Sequence, residues 1–201
     1  MAKIAPSILS ADFANLERDI HDIENNGADW VHVDIMDGIF VPNISFGFPV
    51  IEALAQKLRK PMDVHFMTIH PEKYIERVAK LGAMMMNIHV EACGENTKSI
   101  LSDIHAAGMK AAITVSPDTA ISSVRDYLAD VEMVLVMGVH PGFGGQKFIE
   151  ATIERVSELR KMIDAVKSQN DDAVAVFAAV NGEKLTFCAG AGKSAIAKGA
   201  H

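Results

Sequence analysis

The chain has 201 residues, 49 % of them hydrophobic and 22 % charged, which suits one soluble globular domain with a sizeable core. A formal net charge of −7 argues against a general nucleic-acid or acidic-membrane surface, while leaving room for a local basic pocket for a small phosphate. The two cysteines, Cys93 and Cys188, make neither a disulfide framework nor a zinc module. The N-terminus lacks the apolar core of a signal peptide, and no apolar run approaches the ~20 residues of a membrane span. The expectation is a cytoplasmic protein with no nucleic-acid partner and no membrane association.

In chain order, β-like runs at 3–9, 30–36, 62–67, 84–91, 110–115 and 133–139 alternate with helical patterns at 14–26, 48–58, 71–81, 97–107, 119–129 and 146–166. Helix starts carry their usual signals, Pro71 in a first turn and Ser116-Pro117-Asp118 before the fifth helix. Strand followed by helix, repeated, predicts an α/β fold with a parallel sheet and helices outside it. About six such units without a long linker favour a (β/α) barrel over an open doubly wound sheet. No Gly-x-Gly-x-x-Gly follows the first strand, which counts against a dinucleotide fold. The grammar changes after Val166. A polar connector, Lys167 to Asp172, leads into a strand at 173–180, an Asn181-Gly182 hairpin signal, a returning strand at 185–189 and a short helix at 193–198. The reading is therefore an incomplete barrel portion at 1–166 and a foreign-looking tail at 167–201. In it, a β-hairpin and short helix replace the last two β/α units.

The run Trp30-Val31-His32-Val33-Asp34-Ile35-Met36 places His32, Asp34 and Met36 on one face of a strand. A carboxylate on a core-like strand is costly unless paired or metal-bound. Asp63-Val64-His65-Phe66-Met67 repeats the alternation on the next strand. One histidine on a strand is more often a satisfied core residue than a ligand. Two, with a carboxylate, near the C-terminal ends of consecutive strands, make a plausible shell for Zn²⁺, Mn²⁺, Fe²⁺ or Co²⁺. Val139-His140-Pro141-Gly142-Phe143-Gly144-Gly145-Gln146 reads as a glycine-rich loop whose N–H groups can cradle a phosphate beside a helix N-terminus, or else as an ordinary βα turn. Ser7 could donate to a substrate hydroxyl. Met36, Met67 and Met137 fall late in their strands on the site's face, as apolar lining or simply as core. His89 and Glu91 end the fourth strand in register, as a supporting shell or a polar layer of the barrel. Cys93 has no activating neighbour.

Together these motifs resemble the ribulose-phosphate 3-epimerase family over residues 3–164. The resemblance rests on Lys3 through Phe13, on His32 through Asn43, on Asp63-Val64-His65, on His89-Val90-Glu91-Ala92 and on the Pro141 to Gly145 loop. It implies a TIM-type barrel that interconverts D-ribulose 5-phosphate and D-xylulose 5-phosphate. It also implies a divalent metal on His32, Asp34 and His65, with Asp34 as one acid/base. Ser7 and His65 would contact substrate, and Gly142, Phe143, Gly144 and Gly145 the phosphate. The family takes its second acid/base, also a metal ligand, from an Asp-Gly-Gly motif closing strand seven. This chain reads Val180-Asn181-Gly182-Glu183 there, so no second catalytic acid is found and reduced activity is expected. The family's closing Gly-Ser phosphate motif is absent too. From about Asp172 the tail is similar to part of the C-terminal domain of alanyl-tRNA synthetases, through 173–180, Gly182-Glu183-Lys184 and Lys198-Gly199-Ala200-His201. That makes a chimera, in which the barrel would be an inactive scaffold with residual metal or phosphate binding, the alternative expectation. An unclosed barrel leaves strand edges that invite pairing with a second copy.

Overall fold

The computed structural model describes residues 3–167, 174–181 and 184–191. Strands β1 (Val31–Met36), β2 (Met62–Met67), β3 (Met85–His89), β4 (Lys110–Val115) and β5 (Met133–Val136) form one parallel sheet in chain order. Helix α1 (Leu16–Asn25) precedes β1; α2 (Phe48–Ala55) and α3 (Ile75–Lys80) cross from β1 to β2 and from β2 to β3. Helices α4 (Val90–Cys93) and α5 (Thr97–Ala106) lead to β4, a 3-10 helix at Ile121–Tyr127 leads to β5, and α6 (Thr152–Lys167) follows. Sequential parallel neighbours joined by helical crossovers are the construction of a TIM-type barrel, here a partial one.

Strand alternation sorts the side chains. Val33, Val64, Phe66, Met86, Ile88 and Ala111 lie on the helix-facing side and pack with Ile20, Ile51, Val78, Leu101 and Ile104. A second cluster joins Ile113, Val115, Val134 and Val136 to Val124, Leu159 and Ile163. Burying each such side chain contributes about 1.5–3 kcal/mol, so this face fixes the strand register. The opposite face turns Asp34, Asp63, His65, Asn87, His89 and Thr114, all buried, into the barrel interior. Below them Trp30, Met84, Met85, Ala112 and Met133 form an apolar floor.

Several boundaries differ from the sequence reading, each for a local reason. Residues 3–9 are not a regular strand. The carbonyls of Ile4 and Pro6 accept the N–H groups of Trp30 (3.2 Å) and His32 (3.0 Å), and Ser7 bridges His32. Pro6 has no N–H to pair, and the Ser7 hydroxyl accepts the Leu9 N–H (3.1 Å) to start a 3-10 turn at Ile8–Ser10. Strand β3 stops at His89 because α4 begins at Val90, which places Glu91 off the strand. The expected helix at 119–129 is a 3-10 helix, whose three-residue period matches the buried pair Ile121 and Val124. β5 ends at Val136, so Met137 lies just past it. The last helix begins at Thr152, not 146, because the Gln146 amide donates to the carbonyls of His140 (2.6 Å) and Phe143 (2.9 Å), while the Ile149 N–H donates to Gly138 (2.8 Å). The glycine loop is thus closed on itself and stands apart from the helix N-terminus.

The tail hairpin is present as read: β6 (Val174–Asn181) pairs antiparallel with β7 (Lys184–Ala191). Asn181 is opposite Lys184 and ends the strand, one residue beyond the strand end read from the sequence. β6 runs beside β5 and α6, yet the hairpin forms its own hydrogen-bonded sheet. The helix expected at 193–198 lies outside the described residues. Among the described residues, no helix is long and apolar enough to cross a membrane.

Candidate metal centre and active site

β1 and β2 pair in a register that puts Asp34 opposite His65. Asp34 Oδ1 lies 3.3 Å from His32 Nε2 and 3.0 Å from His65 Nδ1, and its Oδ2 accepts the Ser7 hydroxyl. One ligand atom from each of His32, Asp34 and His65 falls within 4.8 Å of the others, a group that could hold a metal ion. The outer ring nitrogens are already engaged. His32 Nδ1 meets Asp63 Oδ2 at 2.7 Å, and His65 Nε2 meets His89 Nε2 at 2.9 Å. With the outer nitrogens carrying the protons, the inner lone pairs and the carboxylate oxygen converge on one point. Such a convergence of acceptors needs a cation or extra protons, so the donor set fits a divalent metal.

The charges agree. Burial disfavours the charged form of His32, but Asp34 and Asp63 outweigh it and hold the imidazole well above its ordinary range. Burial likewise opposes ionisation of Asp34, and His32 and His65 overcome it, holding the carboxyl well below its usual range. Two buried carboxylates therefore demand positive charge at this spot. Ser45 fixes the strand end: its hydroxyl donates to Asp34 O (2.7 Å) and accepts the Met36 N–H (3.1 Å).

Above this cluster opens a cavity of about 490 Å³. Ser7, Asp34, Met36, Met67 and Met137 line it, together with Gly142, Phe143, Gly144 and Gly145. The structure thus brings the predicted site residues together on one mouth of the barrel, with His32 and His65 on an adjoining cavity of about 390 Å³ that shares Ser7 and Asp34. Met36 and Met67 pack with Val41, Leu9 and Phe40. Gly142 has φ 118°, and a Cβ there would lie 3.2 Å from Val41 Cβ. Asn43 Nδ2 donates to its carbonyl at 2.8 Å. A side chain would strain the loop on both counts. Gly142→Ala is therefore expected to raise KM for a phosphorylated substrate about tenfold while changing kcat less, read by steady-state kinetics.

Three contacts of the cluster go beyond the sequence reading. Asp63 holds His32; its signal was the Asp63-x-His65 echo of His32-x-Asp34. His89, left as a supporting or layer residue, touches His65 directly. Ser45 carried no local signal. Cys93, as read, is inert: burial pushes its thiol up to about 12.

Among solved structures, Mycobacterium tuberculosis tryptophan synthase shares the fold, with a TM-score of 0.56 at 11 % identity over 81 % of this chain and 72 % of that one. The ribulose-phosphate 3-epimerase of Bacillus subtilis (strain 168) is 41 % identical over 199 residues, 99 % of this chain and 91 % of the relative. That of Rhodobacter capsulatus is 48 % identical over 161 residues, 80 % and 70 % of the two chains. The family model described as "Ribulose-phosphate 3 epimerase family" matches residues 3–201, so the match runs through the tail as well as the barrel. With these similarities beside the buried His–Asp–His cluster, the chain belongs to the ribulose-phosphate 3-epimerase family.

Proposed function

We propose that this isomerase interconverts D-ribulose 5-phosphate and D-xylulose 5-phosphate at the cluster under the 490 Å³ cavity. The observation that carries the reading is the meeting of Asp34 Oδ1 with His32 Nε2 and His65 Nδ1 directly below the glycine loop. His32, Asp34 and His65 would hold a Zn²⁺, Mn²⁺, Fe²⁺ or Co²⁺ ion, which would supply positive charge against the negative charge that develops on the substrate oxygen. Asp34 moves the proton at C3, with Oδ2 facing the Ser7 hydroxyl that orients it. Ser7 and His65 contact the sugar. The N–H groups of Gly142, Phe143, Gly144 and Gly145 hold the phosphate. Met36, Met67 and Met137 keep water from the intermediate.

Asn181 favours a second reading for activity. It ends β6, the strand beside β5, and in this reading it stands in for the opposite-face carboxylate that the reaction calls for. Asn181 cannot take a proton as a carboxylate does, so in this reading the chain is a slowed epimerase or a scaffold that only binds metal and phosphate. The same reading makes 1–166 the barrel portion and 167–201 a separate segment, with the junction at 166–172 where the alanyl-tRNA synthetase resemblance begins. The epimerase-family match nevertheless crosses that junction. Pairing of open strand edges with a second copy and a cytoplasmic location complete the proposal. A coupled assay with added Mn²⁺ or Zn²⁺ tests it: the chain should exceed an Asp34→Asn control, and equal rates in the two would refute catalysis at this site.

A further inference from the structure

The cluster continues away from the substrate cavity along a row of groups that starts buried at His65 and His89 and becomes more exposed at Glu91, Ser116 and Arg155. His65 Nε2 meets His89 Nε2 at 2.9 Å, and their rings stack with centroids 5.0 Å apart. His89, fully buried, meets Glu91 Oε2 through Nδ1 at 3.1 Å. Glu91 Oε1 accepts the Ser116 N–H at 2.7 Å. Arg155 of α6 closes the far end, donating from Nη2 to the carbonyls of Ser116 and Thr119, each at 2.8 Å. The chain of groups thus runs from α6 through the loop after β4 to the barrel centre.

Counting protons gives this row a direction. Three links join Asp34, His65, His89 and Glu91, yet two neutral imidazoles supply only two N–H donors. Glu91 accepts the Ser116 N–H through Oε1, and its Oε2 faces His89 Nδ1. Its burial is overcome by hydrogen bonds from His89, Thr119 and Ser116, which pull it to about 2. His65 faces Asp34 through Nδ1 (3.0 Å) and His89 through Nε2 (2.9 Å), so a metal held on Nδ1 requires the ring proton on Nε2. The arrangement with Glu91 satisfied has His89 Nδ1–H donating to Glu91 and His65 Nε2–H donating to His89 Nε2. The missing proton then falls at the Asp34–His65 contact, and His65 Nδ1 is left as a bare lone pair beside Asp34 Oδ1.

We propose that His89 and Glu91 are positioning residues that fix His65 in the Nε2–H tautomer, so that its Nδ1 is presented as a metal ligand. The inference rests on the metal reading of the site. Groups behind a ligand typically set metal affinity by about 10–100-fold. His89→Leu removes the acceptor, whereas His89→Gln offers an amide oxygen to His65 and an amide N–H to Glu91.

The test measures Zn²⁺ affinity of the full chain by competition with a chromophoric chelator, with ¹⁵N-correlated imidazole NMR of the Zn²⁺-loaded protein. Glu91→Gln and His89→Leu should each weaken Zn²⁺ binding by about tenfold or more. His89→Gln should recover most of the loss, and the wild type should show His65 Nε2–H and His89 Nδ1–H. Thermal unfolding checks that each variant is folded, and the His89 pair decides if Glu91→Gln is not. Affinities within twofold of wild type, His65 bound through Nε2, or a His89→Leu loss that His89→Gln does not recover would each overturn the relay while leaving the metal site standing. A wild type that binds Zn²⁺ no better than His65→Ala would overturn both.

Discussion

Asp34→Asn is expected to lower the epimerisation rate by about 10³-fold or more in the metal-supplemented coupled assay while leaving a folded protein. A positioned proton-transfer group is worth about 10²–10⁴-fold in rate. The same substitution weakens a metal ligand, because an amide oxygen carries no net charge toward the cation. The two losses share one residue because Oδ1 faces the histidines while Oδ2 faces Ser7. The fold should survive, since His32 keeps Asp63 at 2.7 Å and is not left as an unpaired buried charge. Ser45 also continues to hold the backbone of Asp34 and Met36. A rate within tenfold of wild type would place the proton transfer on another residue.

Asn181→Asp is expected to act in the opposite direction, raising the rate by about 10²-fold. The expectation depends on position. β6 lies beside β5, and Asn181 is its last residue, opposite Lys184 in the hairpin. A carboxylate there would stand at the strand end where the missing second proton carrier is due. Replacing an amide by a carboxylate of the same shape adds a group that can carry the proton and one negative charge that a metal can balance. No change in rate would mean that the strand end of β6 does not reach the substrate.

The centre of the site was legible because a parallel strand writes its two faces as alternate letters. His32-x-Asp34 and Asp63-x-His65 interrupt apolar runs on one face only, and strand pairing brings Asp34 opposite His65. The glycine loop could be read for the same kind of reason, since Gly142 and Gly145 adopt positive φ that other residues resist. The contact between His65 and His89 was not legible. In the ladder His65 pairs with Asn87, and His89 meets His65 two residues further on, an offset that alternation alone does not specify. The helix starts misread at 121 and 152 share a different cause. Side-chain hydrogen bonds by Gln146 and three-residue spacing at Ile121 and Val124 overrode the apolar periodicity. In the tail, the Asn181-Gly182 signal placed the hairpin within one residue of its observed register.

Proton removal and epimerisation are separate events in a two-carboxylate site, and a site with Asp34 alone should uncouple them. An epimer whose C3–H faces Asp34 can lose its proton and regain one from the same side. Epimerisation additionally needs delivery to the opposite face, and in the proposed reading Asn181 stands in for the carrier on that face. The decisive measurement is ¹H NMR of each 5-phosphate epimer with metal-loaded protein in D₂O, following C3–H loss and product formation together. One epimer should exchange its C3 proton for deuterium several-fold faster than it converts, and Asp34→Asn should abolish that exchange. Conversion that keeps pace with exchange from both epimers, or exchange that persists in Asp34→Asn, would contradict a site built on Asp34 as its one proton-carrying carboxylate.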